Sequence, residues 1–309
     1  MKILFTGADT PAGGPFLQHL CSQGHSIWTV AQRVIPNVQQ TIIGDLEADD
    51  IAEILPKMTF DALIHFASFI PLNEEISSWD ECYEKNVLSS VRLMQWAKDR
   101  IRKVIISSSL SVYGDPLYAP ADENHQLYPV TNHALSEYAE ECLFQAFCRS
   151  NSIPLVVMRL GDVYGPGMSR HDALVKFILA VQRRQQIRLH DPESTALPLI
   201  HNADIAIIGD LLLAEGEGVY NIVMPGYVSL IELVRHVEAV VGANANVITS
   251  RSNRQSLTNY YVSRRLMDKH RAAPSVDLHE GIRTVVQWLR GIDPCHAGAF
   301  QSRETEGRA

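Results

Sequence analysis

Residues 2–14 read KILFTGADTPAGG, an apolar run that passes directly into a glycine-rich turn. The run Lys2 to Phe5 has the short apolar pattern of a buried strand, and the segment Phe16 to Cys21 beyond the turn has a helical pattern. A turn in this position offers free backbone N–H groups and the positive end of a helix dipole to a pyrophosphate. The segment therefore predicts a dinucleotide site, with a tight turn that binds no ligand as the alternative. The candidate phosphate-binding residues are Gly7, Thr10 and Gly13.

The first half of the chain alternates between short apolar runs and longer helix-like segments. Further runs lie at Ile27 to Val30, Ala62 to Phe66, Val104 to Ser107 and Leu155 to Met158. Strands that alternate with helices favour a parallel sheet with helices on its faces. We therefore predict an α/β protein with a doubly wound parallel (Rossmann) sheet.

One helical segment of this half gathers apolar residues on one face, at Leu135, Tyr138, Cys142 and Ala146. Its acidic residues lie largely elsewhere on the helix, at Glu137, Glu140 and Glu141. We interpret the acidic residues as a solvated face and the apolar residues as the buried one.

The regular alternation ends at Gly165-Pro166-Gly167. Scattered strands follow, together with helical patterns over Leu230 to Val241 and Leu278 to Leu289. We predict three regions: a dinucleotide-binding Rossmann domain at 1–164, a smaller α+β substrate lobe at 165–292, and a loose tail without periodicity at 293–309.

Composition excludes several classes of protein. The 309 residues are 46% hydrophobic and 20% charged, which is enough to bury a substantial core and unlike a disordered chain. A net charge of -8 without a cluster of bases argues against a nucleic-acid partner. The five cysteines form no CxxC pair, which disfavours a disulfide framework and a thiolate zinc site. With no apolar stretch as long as a signal-peptide core or a membrane span, we expect a cytoplasmic protein with no membrane partner.

The end of the second predicted strand bears on the choice of cofactor. A carboxylate there favours NAD, whereas an arginine accommodates the extra phosphate of NADP. The strand ends Val30-Ala31-Gln32-Arg33, without an acid. NADP is therefore preferred over NAD, with an exposed Arg33 that serves only solubility as the alternative.

Several further stretches fall in order at the ends of the predicted strands. They are Gly44-Asp45-Leu46, His65-Phe66-Ala67-Ser68, Asn86-Val87, Ser107 to Gly114 (SSSLSVYG) and Arg159 to Gly167 (RLGDVYGPG), with Asn202 to Ile205 and Val219 to Ile222 in the second half. This ordered set resembles the extended short-chain dehydrogenase/reductase family, especially its NAD-dependent nucleotide-sugar epimerases and dehydratases. The resemblance covers residues 1 to 290.

The resemblance implies roles for individual residues. Asp45 and Leu46 would contact the adenine, Ala67 would line the cofactor cleft, and Ser109 would hydrogen-bond a substrate hydroxyl or carbonyl. Members of this family oxidise a sugar carbon with the nicotinamide, act on the keto intermediate and often return the hydride. In many members two long helices of each subunit form a dimer interface, so the resemblance also implies a small-molecule substrate and a homodimer.

The sequence departs from the family at its catalytic pair. His133 stands at the position of the family's tyrosine and Glu137 at that of its lysine, and no lysine occurs from residue 104 to 175. Two smaller departures accompany this change. Thr10 replaces the middle glycine of the turn, and Asp162 replaces an asparagine that contacts the substrate's phosphates in many members. A carboxylate at position 162 would repel a diphosphate.

The replacement pair has two readings. Residues four apart share a helix face, so Glu137 would raise the pKa of His133 and make it a proton donor near neutral pH. Glu137 would also accept hydrogen bonds from ribose hydroxyls. Alternatively, both residues lie on a solvated face of a cleft that performs no chemistry.

The candidate catalytic residues are thus Ser109, His133 and Glu137, and Asp162 is the candidate substrate contact. No metal site is predicted. The function is an NAD(P)-dependent oxidoreductase or epimerase acting on a sugar or related carbonyl compound, or a catalytically silent NAD(P)-binding sensor or partner protein.

Overall fold

The computed structural model describes residues 1–48, 50–71, 79–251 and 260–291. Its strands are β1 (Lys2–Thr6), β2 (Ser26–Ala31), β3 (Gln40–Ile43), β4 (Ala62–His65), β5 (Val104–Ser109), β6 (Leu155–Leu160), β7 (Asp162–Tyr164), β8 (Gln186–His190), β9 (Ala196–Leu197), β10 (Leu199–His201), β11 (Gly218–Ile222), β12 (Val228–Ser229) and β13 (Asn246–Ser250).

The helices are α1 (Gly13–Ser22), α2 (Ile51–Ile54), α3 (Trp79–Cys82), α4 (Ser89–Ala97), α5 (Asn132–Ser150), α6 (Ala173–Gln182), α7 (Asn202–Glu215), α8 (Leu230–Val241), α9 (Arg264–His270) and α10 (Leu278–Leu289). A π-helical segment, Tyr83–Leu88, joins α3 to α4, and a 3₁₀ helix, Leu110–Tyr113, follows β5. Within the described ranges, no helix is both long and apolar enough to cross a membrane.

Seven strands form one sheet in the order β11-β6-β5-β4-β1-β2-β3. Every neighbouring pair in it is parallel, with Thr6 of β1 opposite Val30 on one side and His65 on the other. The strand order therefore reverses between β1 and β4, which is where open α/β sheets bind their ligands. The predicted doubly wound parallel sheet is confirmed.

Both faces of this sheet are covered by apolar side chains. On one face, the ring of Phe16 from α1 packs 5.8 Å from that of Phe5 and 5.3 Å from that of Phe66. On the other face, Leu93 of α4 and Phe144 of α5 enter a second buried cluster. Each such side chain contributes about 1.5–3 kcal/mol when it is removed from water. The sheet is thus a rigid base for the loops at its carboxyl edge.

A third apolar cluster belongs to a smaller lobe. It joins α6, α8 and α10 through buried residues such as Ile178, Val237 and Ile282. The bounds of α8 and α10 are those predicted from the helical patterns. Ser229 begins α8 with a capping box to Glu232, which supplies a local start signal.

The predicted division at residue 165 needs one correction. The segment Asn202–Ile222 lies inside the predicted small lobe, but its helix α7 packs on α1 and its strand β11 extends the main sheet beside β6. A side chain at Gly209 of α7 would reach within 2.5 Å of the Phe16 ring, so the two helices approach closely. The chain returns to the large layer because the face of the sheet that α1 covers needs a second helix beside α1. The predicted tail at 293–309 lies outside the described residues.

Helix α5 is oriented opposite to our interpretation. Leu135, on the predicted apolar face, is 43% exposed. Glu137, Glu140 and Glu141 are 3%, 2% and 0% exposed. The interpretation of these acids as a solvated face is therefore wrong, and the reason is that each finds a polar partner on the sheet or its loops.

Candidate active site

The glycine-rich turn lies where the strand order reverses. Gly7 has a φ of +81°, and a Cβ there would lie 2.2 Å from the carbonyl carbon of Phe66 at the end of β4. A Cβ at Gly13 would lie 2.1 Å from the carbonyl oxygen of Gly7. Glycine is therefore required at both positions by close backbone packing. This packing brings Ala67 against the turn and forms the crevice in which a dinucleotide would lie.

Thr10 closes this turn with its own hydroxyl. Its Oγ accepts a hydrogen bond from the backbone N–H of Gly13 at 2.9 Å and donates to the carbonyl of Gly7 at 2.9 Å. Pro11 has no N–H to offer. The turn lies where open α/β sheets bind a pyrophosphate, but of the N–H groups near the start of α1, that of Pro11 is missing and that of Gly13 is already bonded to Thr10.

The adenosine end of the crevice contains the other predicted cofactor residues. Arg33 follows β2 and is half-buried. Leu46 follows β3 and packs, partly buried, against the second apolar cluster. Asp45 is exposed, accepts from the backbone N–H of Glu47 at 3.0 Å and from the side chain of Gln32 at 3.3 Å. The structure thus brings the ends of β2 and β3 together at one place.

Ser109 is the last residue of β5 and the N-cap of the 3₁₀ helix. Its Oγ accepts hydrogen bonds from the backbone N–H of Ser111 at 3.1 Å and from the Ser111 hydroxyl at 2.9 Å. The side chain is half-buried at the carboxyl edge of the sheet. The hydroxyl therefore lies at the edge of the sheet where open α/β proteins bind their ligands.

His133 lies in the first turn of α5, which Thr131 caps by accepting from the N–H of Ala134 at 3.1 Å. The imidazole is buried, and among the described residues its Nδ1 has no hydrogen-bond partner. The nearer oxygen of Glu137 is 3.9 Å from this nitrogen. The two side chains share a face as predicted, at a distance too long for a hydrogen bond.

The predicted rise in the pKa of His133 is wrong. Burial lowers the pKa of this imidazole. A hydrogen bond from the ring to the backbone of Phe69 raises the pKa, but by less than burial lowers it. The cost of placing a positive charge out of water outweighs the attraction of a carboxylate that is itself reluctant to ionise. His133 is therefore neutral at neutral pH.

Glu137 is buried beside the segment that follows β4. Its Oε1 accepts a hydrogen bond from the Ser68 hydroxyl at 2.5 Å. Burial, together with the charges of Glu140 and Glu141, raises the pKa of Glu137 to about 8, although the Ser68 bond acts in the other direction. Sequence reasoning missed Ser68, whose only signal was its place next to Ala67 at a strand end.

The other two acids of α5 have basic partners. Glu140 Oε1 lies 2.9 Å from His65 Nε2 and accepts from the Ser90 hydroxyl at 2.7 Å. Glu141 accepts from Arg159 through both oxygens, at 2.9 Å and 2.7 Å. These contacts connect α5 to β4 and β6 and so position the helix that carries His133 on the sheet.

Asp162 is the first residue of β7 and is reached by solvent. The surrounding protein nevertheless removes enough water to raise its pKa to about 6, and the negative charge of Asp172 adds to the shift. The carboxyl group is mostly ionised at neutral pH. It places negative charge where the resembled family has an uncharged amide.

The structure shows no cluster of metal-ligating side chains in the ranges it describes. Cys21, Cys82, Cys142 and Cys148 are free thiols. The candidate catalytic residues Ser109, His133 and Glu137 carry a hydroxyl, an imidazole and a carboxyl group.

Comparisons with known proteins identify the family and relatives of this chain. The model of the NAD dependent epimerase/dehydratase family matches residues 3–223. A putative UDP-glucose 4-epimerase of Methanocaldococcus jannaschii is 24% identical over 254 residues, which cover 80% of this chain and 82% of that protein.

Solved structures agree at the level of the fold. The UDP-glucose 4-epimerase of Thermotoga maritima, solved with UDP-glucose, superposes with a TM-score of 0.84 at 18% identity and covers 94% of this chain and 99% of its own. The UDP-glucose 4-epimerase of Thermus thermophilus, solved with NAD, superposes with a TM-score of 0.83 at 21% identity and covers 95% of this chain and 100% of its own.

Proposed function

We propose, since this chain belongs to the NAD dependent epimerase/dehydratase family, that it is an NAD(P)-dependent oxidoreductase or epimerase acting on a sugar or a related carbonyl compound. The observation that carries the proposal is the turn from Gly7 to Gly13, packed against β4 at the reversal of the sheet. The buried imidazole of His133 on α5, which packs against β5, supports it.

The cofactor would be held along the crevice between β1 and β4. Gly7, Thr10 and Gly13 would face its pyrophosphate, and Ala67 would form the opposite wall. Asp45 and Leu46 would meet the adenine, while Arg33 would favour NADP over NAD by pairing with the 2′-phosphate. When bound, a nicotinamide cofactor supplies a site that accepts a hydride from a substrate carbon and can return it.

His133 would move the proton that accompanies this chemistry. A neutral imidazole can accept a hydroxyl proton from a substrate at one nitrogen and return it later. Ser109 would orient the same oxygen with its hydroxyl. Glu137 lies 3.9 Å from Nδ1 of His133 and would act through the imidazole.

Asp162 limits the substrate. Its carboxylate would repel a nucleoside diphosphate, which makes an uncharged sugar or carbonyl compound the better substrate class. A panel that pairs each sugar with its nucleoside diphosphate derivative tests this choice. Faster turnover of the diphosphate form would contradict it.

A second function is favoured by one observation. The family's tyrosine and lysine are both absent, and Glu137 is bonded inside the protein to Ser68. This arrangement suits a catalytically silent NAD(P)-binding sensor or partner protein. We also propose a homodimer, which the family resemblance implies, and the cytoplasmic location expected from the sequence.

The deciding experiment is a calorimetric titration with both cofactors, followed by a carbonyl-substrate panel. His133→Ala should lower turnover on the order of a hundredfold to ten-thousandfold, as expected for a positioned acid-base group. The control is His279→Ala, which changes an exposed histidine of α10. Full activity in His133→Ala would refute the mechanism. Cofactor binding without turnover, with activity gained in His133→Tyr plus Glu137→Lys, would favour the silent binder.

A further inference from the structure

The three buried carboxyl groups of α5 do not have equal partners. Glu141 is paired with the guanidinium of Arg159 through two hydrogen bonds, and Glu140 lies 2.9 Å from the imidazole of His65. Each of these two acids therefore faces a basic group. Glu137 instead accepts from a neutral hydroxyl, that of Ser68.

The elements packed against α5 carry further charged side chains, at Asp80, Glu81, Glu84, Lys85 and Arg92. The three acids are exposed. The ammonium of Lys85 lies 4.3 Å over the ring of Phe69, and Arg92 donates to the carbonyl of Glu47 at 2.6 Å. Among the described residues, the imidazole of His133 lies within 4 Å of the Glu137 carboxyl group. Lys85 and Arg92 have the other contacts just given.

We propose that Glu137 stores a proton at neutral pH and exchanges it with Nδ1 of His133, so that the pair works as one uncharged proton relay in the cleft. This inference rests on the proposed function of the same site. Its geometric basis is the buried Nδ1 of His133, which has no hydrogen-bond partner among the described residues and faces a carboxyl group that has no other cationic partner among them.

The electrostatics of the pair agree with this assignment. An ionised Glu137 would put a third negative charge within about one turn of Glu140 and Glu141, out of reach of water. Burial raises the pKa of Glu137 and lowers that of His133, so both groups are neutral in the same pH range.

The relay transfers one proton without forming an imidazolium. The Nε2–H of His133, which donates to the backbone of Phe69 in the resting state, turns to a substrate oxyanion and gives it the proton, and the lone pair on Nδ1 takes the proton of Glu137. The O–H bond of Glu137 breaks, its electron pair stays on the carboxylate, and the Ser68 hydroxyl stabilises that charge by donation. The present distance of 3.9 Å between Nδ1 and the nearer carboxyl oxygen must shorten by roughly 1 Å for this step.

Infrared difference spectra of the protein without cofactor or substrate test the stored proton. Wild type minus Glu137→Gln should show the band of a protonated carboxyl group at about pH 6, replaced by a carboxylate band with a midpoint at about 8. The control is Glu280→Gln, because Arg283 lowers the pKa of Glu280 and its difference spectrum should show a carboxylate at the lower pH. A carboxylate signal from Glu137 at about pH 6 would overturn the inference.

Nitrogen NMR of the His133 ring tests the exchange. Its ring signals should shift with the same midpoint as the Glu137 band, and that shift should vanish in Glu137→Gln. Ring signals that ignore Glu137→Gln would overturn the relay. Neither readout uses turnover. A protein that shows the stored proton and the coupled imidazole but binds no cofactor would refute the proposed function alone. Turnover by a protein in which Glu137 is ionised would refute the relay alone.

Discussion

Arg159 and Glu141 form a buried pair in which Nε donates to Oε1 at 2.9 Å and Nη2 donates to Oε2 at 2.7 Å. The guanidinium also donates to the hydroxyl of Tyr113 at 2.9 Å, and that hydroxyl donates to Asn221 at 2.7 Å. The pair joins β6 to α5, and its extension joins the 3₁₀ helix to β11. The helix that carries His133 is therefore fastened to the sheet by ionic and polar contacts as well as by apolar packing.

Removing Arg159 should be strongly destabilising. Arg159→Met leaves the carboxylate of Glu141 buried without its partner, which costs about 3–5 kcal/mol in comparable cases. Urea unfolding at neutral pH measures the loss, and Arg159→Met plus Glu141→Gln should recover part of it. The exposed pair of Arg283 and Glu280 supplies the control, because Arg283→Met should leave the free energy of unfolding nearly unchanged. Equal losses for the two arginines would contradict the prediction.

Glu137 should make the protein less stable as the pH rises. Its pKa is about 8 in the folded state and 4.5 in the reference state, so between these values the unfolded chain has lost a proton that the folded chain keeps. The free energy of unfolding therefore falls over this interval, by on the order of a few kcal/mol for this group. Glu137→Gln should remove this pH dependence. Its free energy of unfolding should equal that of wild type near pH 4.5 and should be higher than that of wild type near pH 8. Parallel pH profiles for the two proteins would show that Glu137 is ionised in both states.

Thr10 should limit the affinity for the cofactor. Thr10→Gly frees the N–H of Gly13 for a phosphate oxygen, and one additional hydrogen bond to a charged group is worth roughly tenfold in affinity. Calorimetric titration should show this gain. Thr10→Ser retains the hydroxyl and should bind as wild type does. Unchanged or weaker binding in Thr10→Gly would mean that the hydroxyl does not compete with the phosphate.

Arg33 should determine the preference between the two cofactors. Arg33→Ala should weaken NADP binding by roughly tenfold and leave NAD binding unchanged, because the guanidinium would meet only the 2′-phosphate. Titration of both cofactors against wild type, Arg33→Ala and the distant Arg290→Ala checks this. Tighter binding of NAD than of NADP by the wild-type protein would refute the preference.

The outward face of α5 should form the homodimer interface. Leu135 and Cys142 are exposed on it, and the neighbouring rings of Trp79 and Tyr83 are exposed 6.1 Å apart on the adjoining helical segment. Leu135→Glu should shift the mass measured by light scattering from a dimer to the 34.5 kDa of one chain. Ile248→Glu, an exposed change on β13, should leave the mass unchanged. A wild-type protein that is already a monomer at micromolar concentration would exclude the interface.

The strands and the amphipathic helices of this protein were predictable because their signals are local. The apolar runs near Lys2, Ile27 and Val104 each became a strand of the main sheet. Helices α8 and α10 have their predicted bounds because one face of each is apolar and a polar cap marks the start. A family resemblance located the turn and the strand ends and proposed the candidate catalytic positions, since these motifs occur in a fixed order along the chain.

The state of the candidate site depended on contacts between distant parts of the chain. Helical spacing placed His133 and Glu137 on one face, but their pKa values follow from burial, which no local pattern records. The acids of α5 are inside because the sheet brings Ser68, His65 and Arg159 to them from far along the sequence. A carboxyl group can be buried when such partners are present, and periodicity alone cannot show them. The sequence therefore specified which groups share a helix turn, and the packing of that helix on the sheet settled which of them carry charge.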